Sequence, residues 1–163
     1  MKYVSTRDAG RAYSAPETIV KGIADDGGLF VPSSFPTIDK EFLASLSEMT
    51  YPERVAKVLH LFMEEFAETE LLSFAEKAYS RFDGDSCPVV MIADGLYVLE
   101  LWHGPTFAFK DMALTLLPYL MVESKKKLGV DETTLVLVAT SGDTGKAALE
   151  GFKNVKGSEI LVF

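Results

Sequence analysis

Thr134-Leu-Val-Leu-Val-Ala-Thr-Ser-Gly-Asp-Thr-Gly145 is the stretch on which the fold turns. Its first six residues are a continuous apolar run, as in a strand buried on both faces of a sheet. Residues 140–145 are polar and broken by two glycines, and a helix is expected from Lys146 to Phe152. Ser158–Phe163 begins another strand. Upstream, a helix is expected from about Lys110 to Leu128, stopped by Gly129 and kinked at Pro118. This alternation is the grammar of a parallel α/β sheet. Ligands of such sheets bind beyond the carboxyl ends of the strands, where the 140–145 loop lies. Its backbone N–H groups, with the hydroxyls of Thr140, Ser141 and Thr144, suit a carboxylate or phosphate, and Asp143 could accept from a ligand ammonium or hydroxyl. The plainer reading is a helix cap at Asp143 or Thr144, with Gly142 and Gly145 making the turn. The loop has no Walker spacing, and Ser141 lacks the Gly-x-Ser-x-Gly elbow.

Thirty residues earlier stands Leu99-Glu-Leu-Trp-His-Gly-Pro-Thr-Phe-Ala-Phe-Lys-Asp111. Lys110 is boxed in by aromatics. Burying an ammonium is expensive, so this one reaches water, pairs with Asp111 or sheds its proton. A deprotonated lysine in an apolar pocket is a nucleophile that forms Schiff bases with aldehydes. The bland alternative is a solvated lysine opening a helix. Just before it, Val89–Ala93 and Leu96–Leu101 flank Asp94-Gly95, which predicts a hairpin with a two-residue type I′ turn.

Further out, residues 39–82 turn helical. Asp39 caps one predicted helix. Thr50-Tyr-Pro-Glu53 has capping-box spacing for a second, and Thr69 is expected to cap a third. Before them come a short helix at Pro16–Lys21 and a brief strand at Leu29–Val31. The break at Arg81–Ser86 sets a subdomain boundary near residue 84. The 163 residues carry a net charge of −8, which argues against a general nucleic-acid binder. Cys87 is alone, so an internal disulfide is ruled out. The longest apolar stretch is too short to span a bilayer, and the start lacks a signal-peptide core, so a cytoplasmic protein is expected. His60 is read as structural and no metal site is expected.

Taken together, Glu100–Asp111 and Ala139–Gly145 resemble the threonine synthase family, pyridoxal-phosphate enzymes of the tryptophan-synthase-β-like fold. Tyr3-x-Ser-Thr-Arg7 and Asp26-Gly-Gly-Leu-Phe-Val-Pro32 look like that family's small N-terminal domain. The resemblance implies an α/β fold. Residues 1–84 would be a small, mostly helical N-terminal domain. Residues 85–163 would begin a three-layer α/β/α (fold type II) pyridoxal-phosphate domain, incomplete here. It implies that Lys110 is the catalytic residue and holds pyridoxal 5'-phosphate as a Schiff base. It implies that Thr140, Ser141, Gly142, Asp143, Thr144 and Gly145 bind substrate, with His103, Phe109 and Asp111 in support. The implied reaction converts O-phospho-L-homoserine and water to L-threonine and phosphate. The family's loop for the cofactor phosphate has no match in these residues, so the chain is expected to be an inactive N-terminal portion. Two alternatives stand beside this reading: a non-catalytic metabolite-binding or protein-interaction module, and a related pyridoxal-phosphate lyase such as a dehydratase.

Overall fold

The computed structural model describes residues 1–140 and 142–163. In chain order the elements are β1 (Tyr3–Ser5), α1 (Ala15–Lys21), β2 (Phe30–Pro32), α2 (Lys40–Ser47), α3 (Tyr51–Phe62) and α4 (Glu68–Tyr79). There follow β3 (Val89–Ala93), β4 (Leu96–Leu99), α5 (Asp111–Leu114), α6 (Leu117–Lys127), β5 (Thr134–Val138), α7 (Asp143–Phe152) and β6 (Ser158–Val162). The chain divides into two compact units, residues 1–73 with 120–131, and residues 74–119 with 132–163.

In the first unit, β1 and β2 pair antiparallel with Val4 opposite Val31. Helices α1 and α3 start on reciprocal side-chain chemistry. The Glu17 carboxylate accepts from the Ser14 N–H at 2.7 Å and its hydroxyl at 2.8 Å. Glu53 does the same for Thr50, at 2.7 Å in both bonds. These contacts satisfy donors that a helix start leaves orphaned, and they hold both glutamates below the usual carboxylate range. Asp39 caps α2 by accepting from the Phe42 N–H at 2.7 Å. The start of α4 differs from expectation. Thr69 lies inside the first turn, and the Glu70 carboxylate reaches back to the Ala67 N–H at 2.7 Å. Glu70 also receives the Lys127 ammonium at 3.0 Å, and both contacts lower its pKa. Phe66 and Leu71 are wholly buried.

In the second unit, β3 and β4 form the expected hairpin, with Ala93 opposite Leu96. Its turn is not type I′. Of Asp94 and Gly95 only the glycine has positive φ, at 69°, and the register is irregular between Met91 and Ala93. A type I′ turn needs both central residues left-handed, and an aspartate is held there less readily than a glycine. β5 and β6 pair in parallel over five residues, Thr134 with Ser158 through Val138 with Val162. α7 makes the crossover between them, as parallel strands require. β5 alternates instead of being buried on both faces: Leu135 is 57% and Leu137 62% exposed. Among the described residues this sheet has two strands, and Leu135, Leu137 and Leu161 leave one of its faces exposed.

The helix expected over 110–128 is two. α5 ends at Leu114 and α6 begins at Leu117. Pro118, fully buried, therefore sits in the first turn of α6, where its missing N–H has no helical partner to lose.

Candidate functional site

Lys110 is the residue from which α5 springs, and the Leu114 N–H donates to its carbonyl at 2.9 Å. The turn before it is wound around the side chain after it. Asp111 is 0% exposed, and its two carboxylate oxygens accept from the Thr106 N–H and the Thr106 hydroxyl, each at 2.7 Å. The Thr115 hydroxyl, also buried, closes on the Asp111 carbonyl at 2.7 Å. Gly104 lies against the same carboxylate: a Cβ there would come within 2.5 Å of Asp111 Cβ and Oδ2. The loop also holds Phe107 left-handed, at φ 61°, a conformation costing a non-glycine residue about 1–2 kcal/mol.

The three fates open to the Lys110 ammonium are thereby reduced. The Asp111 carboxylate is taken up by Thr106 and does not pair with it. Instead Lys110 Nζ lies 4.2 Å from the centroid of the Phe109 ring, and the side chain is half-buried. Phe107 and Phe109 are themselves 74% and 62% exposed. His103 is turned to Glu100, with Nε2 and Oε2 2.7 Å apart, and its ring is stacked with Trp102 at 5.8 Å. Its carbonyl accepts from the Asp83 N–H at 2.9 Å.

The second chemical stretch is reached from β5. α7 starts three residues earlier than expected, with Gly142 as N-cap at φ 98° and no side-chain cap. Asp143 and Thr144 are therefore not caps. They occupy the first turn and are exposed, whereas Gly145 is buried. A Cβ on Gly145 would meet Thr140 Cγ2 at 3.0 Å and Val162 Cγ1 at 3.2 Å, so α7 presses closely on the strand ends here. Thr140 is half-exposed, and Ser141 lies outside the described residues. A ten-residue helix starting on exposed polar residues presents first-turn N–H groups without intrahelical partners, which suits an anion.

Thus Lys110, Phe109 and Asp111 form one local arrangement, and Gly142 to Gly145 another, on helices that pack together within one unit. Sequence reasoning gave no role to Thr106 or Glu100. The Thr106–Asp111 pairing spans five residues of irregular backbone, which no periodicity signals. Glu100–His103 has a spacing of three and could have been noticed. Among the described residues no group of three or more His, Cys, Asp or Glu is placed to hold a metal ion, and no helix is long and apolar enough to cross a membrane.

Residues 2–79 match the family model described as the threonine synthase N terminus. The chain is 35% identical over 171 residues to threonine synthase of Schizosaccharomyces pombe, covering 99% of this chain and 33% of that one. To the Pseudomonas aeruginosa threonine synthase it is 37% identical over 164 residues, covering 99% and 34%. To the human protein called threonine synthase-like 2 it is 37% identical over 169 residues, again covering 99% and 34%. The crystal structure of a PLP-bound threonine synthase from Brucella melitensis superposes with a TM-score of 0.92 at 36% identity, over 99% of this chain and 35% of that one. The chain spans about a third of the length of the curated relatives it matches.

Proposed function

Starting from a chain that carries the N-terminal region of the threonine synthase family, we propose that residues 1–163 supply the lysine and the substrate loop of a threonine synthase. In this reading residues 1–84 are its N-terminal domain and residues 85–163 begin its catalytic domain. The observation that carries it is the Lys110 amine, set at the start of a helix and facing an aromatic ring, its neighbouring carboxylate consumed elsewhere. Such an amine fits an aldehyde-bearing cofactor, because neither a salt bridge to Asp111 nor a burying wall blocks its approach.

Lys110 would hold pyridoxal 5'-phosphate through Nζ, with the Phe109 ring beside the attachment point. When bound, the cofactor supplies an electron sink for carbanion chemistry, and the protein positions and protonates. With substrate bound, Lys110 Nζ would be the group that carries the proton. Asp111 and Thr106 keep the lysine backbone fixed, and the His103–Glu100 pair steadies the turn ahead of it. The α7 N-terminus, with Thr140 to Gly145, would bind the anionic end of O-phospho-L-homoserine. The relatives are about three times longer, so the chain on its own is expected to lack turnover.

The test is borohydride reduction of the full-length enzyme with pyridoxal phosphate, followed by peptide mapping. The adduct is expected on Lys110. An adduct mainly on Lys125, Lys126, Lys127 or Lys146 overturns the assignment. Lys110→Ala and Lys110→Arg should both abolish phosphate release, since arginine keeps the charge without the nucleophile. A second reading, a related lyase with another substrate, draws on the equal identity to the human threonine synthase-like 2 and the Pseudomonas enzyme. Labelling of Lys110 without phosphate release from O-phosphohomoserine would favour it.

A further inference from the structure

Gly151 lies near the end of α7, six residues past the polar loop and far along the chain from Lys110. Yet it touches the lysine's helix more closely than a side chain would permit. A Cβ on Gly151 would stand 2.2 Å from the Leu114 carbonyl oxygen, 2.7 Å from its carbon and 3.3 Å from the Thr115 nitrogen. The obstacle is backbone, so no rotamer change relieves it. Gly151 is buried, and the cost of a glycine inside a helix, about 1 kcal/mol relative to alanine, is otherwise uncompensated.

The contact acts on the site through few bonds. α5 is a single turn. The Leu114 N–H holds the Lys110 carbonyl at 2.9 Å, while the Leu114 carbonyl meets Gly151. The Thr115 hydroxyl ties the same turn to the Asp111 carbonyl at 2.7 Å. The other end of α7 is fixed by a second close approach, Gly145 against Thr140 and Val162. One rigid helix is thereby seated on the lysine's turn at one end and on the strand ends beside the polar loop at the other.

We propose that Gly151 is a positioning residue: its bare Cα against the Leu114 carbonyl sets the spacing between Lys110 and the α7 N-terminus at Gly142–Gly145, and with it the fit of the substrate. This inference rests on the function proposed above. A methyl group at position 151 forces α7 and the Lys110 turn apart. Displacement of this kind, on the order of 1 Å, costs productive alignment up to about a hundredfold.

The experiment compares wild type and Gly151→Ala in the full-length enzyme. It measures borohydride trapping at Lys110, affinity for a non-reacting phosphonate analogue of O-phosphohomoserine by calorimetry, kcat and KM, and the melting temperature. Trapping at Lys110 is expected to persist, because one covalent bond tolerates the shift. Analogue affinity and kcat/KM per folded molecule should each fall about tenfold or more. Wild-type analogue affinity and turnover per folded molecule, whatever the melting temperature, overturn the proposal and leave Gly151 a packing residue. If Gly151→Ala does not fold, Thr115→Val keeps the volume, drops the hydroxyl that holds the Asp111 carbonyl, and loosens the same turn. Its analogue affinity is expected to fall likewise, and an unchanged value is equally fatal. Absence of wild-type trapping at Lys110 defeats the functional reading itself, a result distinct from trapping that persists with affinity unmoved.

Discussion

Asp111 shows how much of the site rests on one carboxylate. It is wholly buried and holds both polar groups of Thr106. Asp111→Ala strands that N–H and hydroxyl away from water and opens a cavity, for an expected loss of about 2–4 kcal/mol in urea unfolding. Asp111→Asn keeps the volume, and the Thr106 hydroxyl can rotate to accept from the new amide, so it should cost less. Equal losses in the two variants would show that the charged carboxylate, and not the filled volume, is what the turn depends on. At this scale the sequence was informative about identity and less so about partners. Lys110, Phe109 and Asp111 stand out from the quoted motif, but a Lys110–Asp111 ion pair was as admissible as the arrangement found. The outcome depended on Thr106, whose route to Asp111 runs through a turn with Phe107 left-handed. Aromatic residues seldom adopt that conformation, so composition does not announce it.

Helix starts were the most legible elements. Asp39 and Thr50–Glu53, expected from spacing, work because a hydroxyl or carboxylate three residues from its partner satisfies an orphan N–H whatever the tertiary context, and Ser14–Glu17 proves to work in the same way. They also predict a pH dependence. Glu17 is held below its ordinary value, first by the Ser14 backbone N–H, then by the Ser14 hydroxyl. A carboxylate with lowered folded-state pKa stabilises fully above its unfolded value, about 4.3, and loses that contribution as pH falls through the folded one. Glu17→Gln should therefore destabilise at pH 7, and its unfolding midpoint should converge on wild type near the bottom of the carboxylate range. Denaturant melts across that range test this; a gap independent of pH would contradict it. The cap at α4 and the division of 110–128 were not legible. Thr69 has cap chemistry, but Glu70 reaches the Ala67 N–H from inside the helix. Pro118 signals a helix boundary as readily as a kink, and the close seating of Gly151 on Leu114 lies at the end of α5.

For the whole molecule, the α/β class followed from the order of periodicities. So did the openness of its faces: a run apolar throughout calls for neighbouring strands and covering layers that these residues do not all supply, and the exposures agree. Val89, Met91, Ile92, Leu96, Tyr97 and Leu99 are exposed on the hairpin, as are Leu135, Leu137 and Leu161 on the parallel pair. Apolar sheet faces and unpaired edges of this kind favour association. The 163-residue chain should therefore sediment with a mass that rises with concentration, and Leu137→Lys should reduce the effect. A concentration-independent monomer would show that these faces are tolerated in water.

The first compact unit is not continuous in the chain. It takes in residues 1–73, leaves out 74–119 and recovers 120–131, where Lys127 returns to Glu70 and the Phe66 ring. A gene truncated at the apparent boundary near codon 84 would encode that unit with a piece of its own wall missing. The second unit is likewise written on both sides of an interruption. By that division neither unit is one uninterrupted reading frame, and on the ribosome the first gains residues 120–131 only after 74–119 have been made.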